Sequence, residues 1–259
     1  MCIYPEIKGS MNFLAREPLY DTIKPYSLRF DPPDSTPRHN LVLEPKEITI
    51  RNARLLNPTI EQHGFTLTSF PTKMDRHDFE DLAKIEMVYA AELEAHLKNL
   101  FQAQHVRVID YAIRKRDPEF PISTGSEYKT QQPAALVHID FSHNEGISML
   151  KTLYGNRADE VLGARWQIIN AWRPLHGPLF DWPLAVCDAG SFDPRRDSQE
   201  TDAVYPEWAY ENVLVHYHPD QKWYYFPEME DTETMLFKCT DSDNTASGRE
   251  YPSSKYMHH

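Results

Sequence analysis

The sequence predicts a mainly β domain with helices, an α+β arrangement in which a sandwich or barrel is buttressed from outside. Three observations predict it. One stretch carries apolar residues at helical spacing, many short stretches alternate apolar and polar residues, and Pro-rich turns separate them. The 259 residues include twenty prolines but only nine glycines, and 12% are aromatic, which fits extended segments around a well-filled core.

Taken in order, residues 1–44 read as a Pro-rich N-terminal arm, with RFDPPDSTPRHN its least regular part, and residues 45–259 as a single domain. KEITIRNARL (46–55) and HGFTLTSFPT (63–72) read as strands. A helix follows from about Asp78 to Phe101, because Leu82, Ile85, Tyr89, Leu93, Leu97 and Leu100 recur in steps of three and four and form one stripe. HVRVIDYAIRKR (105–116) alternates as a strand, and residues 117–133 form a loop. AALVHIDFS (134–142) is a strand, residues 145–162 a helix, and RWQIINAWRP (165–174) and PLAVCDA (183–189) are strands. NVLVHYH, WYYFPEM and TMLFKCTDS complete an antiparallel run.

A net charge of −12 argues against a general nucleic-acid surface. No apolar run approaches the ~20 residues that cross a bilayer, and MCIYPEIKGS has no signal-peptide pattern. Cys2, Cys187 and Cys239 are too few and too widely spaced for a disulfide framework or a zinc pair. The expectation is a cytoplasmic protein without membrane or nucleic-acid partners. A homodimer is compatible with the sequence.

Chemistry concentrates in AALVHIDFS. Side chains alternate along a strand, so His138 and Asp140 point the same way. Imidazole and carboxylate on one face are two of the three ligands of a ferrous site, or a His–Asp hydrogen bond at a strand end. Asn170 and Trp172 share one strand parity, with Arg173 opposite. Arginine is a natural carboxylate clamp, and its plainer use is a salt bridge to Asp181 or Asp188. Trp223 and Tyr225 point one way and Tyr224 and Phe226 the other. One pair would line an apolar pocket, or both would be core, and Trp223 and Tyr225 are the expected pocket residues.

Taken together, HIDFS, the NAWRP…GPLFDWPLAVCDA block, WYYFPEM and MLFKCTDSD resemble the AsaB-like hydroxylase/desaturase family of fungi and bacteria, related to the CmcJ component of cephamycin methoxylation. The resemblance covers roughly residues 45–243. It implies secondary metabolism, a double-stranded β-helix of the jelly-roll or cupin type, and iron(II) with 2-oxoglutarate, with His138 and Asp140 matching the first two iron ligands. It also implies a later histidine, whose position falls near Ser253–Ser254, and a later arginine that has no evident counterpart. The remaining histidines after that point are His258 and His259.

The favoured expectation is therefore a redox-neutral enzyme with no cofactor, a pericyclase-like protein that folds a small natural-product intermediate for cyclisation, cycloaddition, dehydration or isomerisation. His138, Asp140, Arg173 and Lys238 would be its catalytic polar groups, and Asn170, Trp172, Trp223 and Tyr225 its pocket. One alternative is an iron(II)/2-oxoglutarate hydroxylase or desaturase, completed by His258, His259, His216 or His218, with Arg173 taking the co-substrate. The other is a non-catalytic accessory subunit.

Overall fold

The computed structural model describes residues 6–120, 128, 130–134, 136–243 and 253–255. Its strands are β1 (Glu6–Leu14), β2 (Tyr26–Leu28), β3 (Leu43–Asn52), β4 (Phe65–Ser69), β5 (His138–Ile139), β6 (Gln167–Trp172), β7 (Leu184–Cys187), β8 (Ser198–Val204), β9 (Ala209–Val215), β10 (Trp223–Tyr225), β11 (Glu233–Asp241) and β12 (Ser253–Lys255). The helices are α1 (Ile60–His63), α2 (Leu82–Lys84), α3 (Ala90–Phe101), α4 (His143–Tyr154), α5 (Ala158–Leu162) and α6 (Pro194–Asp197).

Nine strands form one sheet in the order β1-β3-β10-β7-β12-β5-β9-β8-β2, and β4-β11-β6 form a second. Period-two alternation sorts the central strands between two cores. Leu184, Val186, Tyr224 and Phe226 pack with Phe65, Met235 and Phe237 of the small sheet. Ala185, Cys187, Trp223 and Tyr225 pack instead with Met11, Phe13, Ile48 and Ile50. The small sheet alternates as well, because Ile169, Ala171 and Leu236 pack against Leu93 and Leu97 of α3.

Three sequence expectations change. The N-terminal stretch is built into the sheet, since β1 pairs with β3 along its whole length and buries Met11, Phe13 and Leu14. The long helix is interrupted by a π-helical turn at Ile85–Tyr89, which breaks the stripe: Ile85, Leu93 and Leu97 are buried, while Leu82 and Leu100 are exposed. HVRVIDYAIRKR is extended but carries only the bridge Arg114↔Gln131, so its alternation marks a packed excursion and not a ladder strand.

Candidate active site

The site grows from the junction of β5 and α4. Val137 and Ile139 are buried in the core that holds Met11 and Phe13. Alternation therefore turns His138 and Asp140 to the other face. The strand ends after two residues, and Ser142 caps α4 by accepting from the Glu145 backbone N–H at 3.0 Å. The Ser142 hydroxyl itself donates to Glu211 of β9. Asp140 is thus held between a paired strand and a capped helix.

His138 Nδ1 lies 2.7 Å from the Leu136 carbonyl oxygen, a partner that only accepts, so Nδ1 carries the proton. Nε2 faces Asp140 Oδ1 at 3.2 Å. Burial works against charge on both groups, and the hydrogen bond and charge of each partner outweigh it. His138 is raised above the usual imidazole value, and Asp140 is lowered to about 2.

The small sheet completes the setting. Asn170 Nδ2 donates to Asp140 Oδ2 at 2.5 Å. The register of β11 on β6 steps from Lys238↔Ile169 to Thr240↔Ile168, leaving Cys239 as the extra residue of a β-bulge. Its thiol lies 3.9 Å from the same Oδ2, and burial with the nearby carboxylate pushes it well above the usual thiol range.

The expected residues divide between this site and the scaffold. His138, Asp140 and Asn170 come together. Trp172 lies on the same parity as Asn170, packed beside the core of Phe65, Tyr224 and Phe237. The strand register runs Tyr224↔Val186↔Ser253↔His138 across four neighbouring strands, so Tyr224 stands on the His138 face. Trp223 and Tyr225 fall on the opposite face, and Trp223 meets Phe13 edge-on at 6.0 Å in place of a pocket.

Arg173 lies apart from His138. Its guanidinium carbon sits 5.6–6.0 Å from the rings of Tyr89, Phe70 and Phe79, and Nη1 donates to the Phe70 carbonyl. Neither Asp181 nor Asp188 is its partner: Asp181 pairs with Arg116, and Asp188 accepts from the Gly190 backbone. Lys238 is 1% exposed on the outer side of the small sheet, bound to Asp241 at 2.8 Å and Glu61 at 3.3 Å.

Sequence reasoning passed over Arg114. Its positive charge reaches both His138 and Asp140. Its Nη1 donates to the Gln132 carbonyl at 3.0 Å, and among the described residues it has no carboxylate partner. The only signal was the basic run RKR in a segment that alternates like a strand.

His138 and Asp140 fit two donor positions of a ferrous site. Among the described residues no group of three His, Cys, Asp or Glu side chains gathers to hold a metal. His216 binds the Leu14 carbonyl and His218 faces Asp220, so neither supplies a third donor. His258 and His259 lie outside the described residues, and the backbone of Ser253 stands opposite His138.

The chain matches the family described as "Oxidoreductase/YMDC permease-like domain" over residues 11–258. It belongs to that family. Its curated relatives are fungal hydroxylase/desaturase and oxygenase proteins of the AsaB-like group. One is "Fe(II)/2-oxoglutarate-dependent dioxygenase nvfI" of Aspergillus novofumigatus, 27% identical over 235 residues that cover 85% of this chain and 79% of the relative. Another is "Hydroxylase/desaturase CTB9" of Cercospora beticola, 27% identical over 274 residues, 94% of this chain and 82% of the relative. The solved structure titled "iron and alpha-ketoglutarate-dependent endoperoxidase NvfI" superposes with a TM-score of 0.84 at 25% identity, over 98% of this chain and 91% of that one. The fold of this family member is therefore the cupin-like double-stranded β-helix. Among its described residues, no helix is long and apolar enough to cross a membrane.

Proposed function

We propose that the chain is an oxidative enzyme of secondary metabolism that acts on a small natural-product intermediate with iron(II) and 2-oxoglutarate at His138 and Asp140. The observation that carries this reading is the His138 ring: Nδ1 is tied to Leu136, so the second nitrogen faces the oxygen of Asp140 on one face of the strand end. The iron-dependent relatives support it. Ferrous iron with 2-oxoglutarate would activate dioxygen, the oxidant for the substrate.

The protein's own groups divide the remaining work. His138 offers Nε2, and Leu136 keeps the ring from turning. Asp140 offers Oδ1. Arg114 takes a carboxylate of the co-substrate, the role first expected of Arg173, because its charge reaches the site and Arg173 is packed among rings.

One observation favours a second, redox-neutral reading. Position 253, whose backbone is in register with His138, is a serine where the family resemblance expects a histidine. In that reading the His138 imidazolium and Asp140 carboxylate act as an acid–base pair on a pre-folded substrate.

One titration separates the readings. Iron(II) and then 2-oxoglutarate are added without oxygen to metal-stripped protein, and the visible charge-transfer band of the chelate is followed. A saturable band, lost in His138→Ala, is expected. Its absence would remove the oxidative reading and leave the acid–base one.

A further inference from the structure

Asp140 has two oxygens, and they have different surroundings. Oδ1 faces His138 Nε2 at 3.2 Å. Oδ2 accepts from Asn170 Nδ2 at 2.5 Å and lies 3.9 Å from the Cys239 thiol. Both Oδ2 neighbours come from the small sheet, whereas Asp140 follows a strand of the large one. Their placement is specific. Asn170 is opposite Phe237 in the β6–β11 ladder, and Cys239 is the bulged residue two positions later. The bulge adds a residue just where the strand passes Asp140, and bulges re-aim side chains in this way. Asn170 is half-buried.

We propose that Asn170 is a positioning residue that fixes which oxygen of Asp140 is offered beside His138. With Oδ2 engaged across the sheets, the carboxylate presents a single oxygen, Oδ1, and cannot swing to offer both. A one-oxygen donor leaves a larger share of the coordination sphere, or of the substrate face, open. The Cys239 thiol supports the same oxygen from the second strand. The inference rests on the reading of His138 and Asp140 as the site, and it adds a role for the small sheet that His138 and Asp140 alone do not require.

The test uses the full chain and cobalt(II) as a visible, air-stable probe of the site. Wild type, His138→Ala, Asn170→Ala and the isosteric Asn170→Asp are titrated, their thermal unfolding is recorded, and a crystal structure of Asn170→Asp is determined. Removing an outer-shell partner costs about 10- to 100-fold in metal affinity. The expected result is a loss of that size in Asn170→Ala, a changed affinity in Asn170→Asp because its carboxylate no longer donates to Oδ2, and a native melting profile in at least one variant. The spectral envelope of bound cobalt should also change, which a merely structural role for Asn170 would not cause. Wild-type affinity in both variants would overturn the proposal while leaving the site reading intact. Equal cobalt binding by wild type and His138→Ala would instead show that the site reading has failed. The crystal structure would then decide the positioning on its own: a carboxylate turned away from His138 supports it, and an unmoved one overturns it.

Discussion

His138 Nε2 and Asp140 Oδ1 lie 3.2 Å apart on a strand end, and the other nitrogen of the same ring is held by Leu136. The pair is coupled through charge. His138 is raised above its ordinary 6.5, and Asp140 is lowered from 3.8 to about 2.

The stability consequence has a definite sign. A raised histidine contributes stability fully below its unfolded value, and that contribution is lost as pH rises through the folded value. A lowered aspartate contributes above its unfolded value and loses that contribution as pH falls toward the folded one. Both contributions coexist from about pH 4 to about 6.5. Melting temperatures of metal-free wild type and Asp140→Asn should therefore differ most in that window and converge on either side. A difference that keeps growing above pH 8 would show that the pair is not charged as described.

Asp241 predicts a different kind of loss. It is buried and accepts from Arg165, Lys238 and Gln167, which together hold it far below the usual carboxylate range despite its burial. Lys238 is buried with it, and its other carboxylate partner, Glu61, is half exposed. Asp241→Asn should destabilise the fold by about 3–5 kcal/mol, because removing one member of a buried pair strands the other. Lys238→Met should cost less, since Asp241 retains Arg165 and the replacement is apolar. Urea unfolding of both variants checks the order, and a reversed order would return Lys238 to consideration as a functional group.

The two arginines separate in the same manner. Arg173 stands over Phe70, Phe79 and Tyr89, so Arg173→Lys should lose about 1–2 kcal/mol of stability, because a compact ammonium does not reproduce the planar contacts. Arg114→Ala should leave stability near wild type and weaken 2-oxoglutarate binding by about tenfold or more, since charge-assisted hydrogen bonds contribute about 1.5–3 kcal/mol. Titration of the co-substrate reads this directly. Unchanged affinity in Arg114→Ala would remove it from the site.

How much of this was legible depends on the interaction range. The strand face of His138 and Asp140 follows from period two alone, as does the opposition of Arg173 to Asn170 and Trp172. The contact of Asn170 with Asp140 joins two sheets across thirty positions, and no local pattern encodes it. Choosing between the Trp223/Tyr225 and Tyr224/Phe226 faces required knowing which strand lies beside β10, and alternation is silent on that. The N-terminal strand β1 does alternate, with Gly9, Met11 and Phe13 buried between less buried neighbours, but a glycine at one inward position and the Pro-rich stretch that follows mask the pattern. The π-helical turn defeated a stripe that steps of three and four otherwise describe.

The last prediction concerns position 253. The family resemblance placed a metal-binding histidine near Ser253–Ser254, and the backbone register sets Ser253 directly opposite His138, with Val186 on its other side. Directly opposed residues of an antiparallel pair share a face of the sheet. A hydroxyl is a poor donor for ferrous iron, whereas a neutral imidazole is a good one. Ser253→His should therefore raise iron(II) or cobalt(II) affinity by about tenfold or more, a gain of about 1.4 kcal/mol per factor of ten. The gain should disappear when His138→Ala is added, because the new ring would then have lost its partner across the strand pair. Equilibrium dialysis of the two variants measures both steps. A Ser253→His protein that binds no more metal than wild type would mean that position 253 does not reach the site, and the third donor would have to be sought elsewhere in the chain.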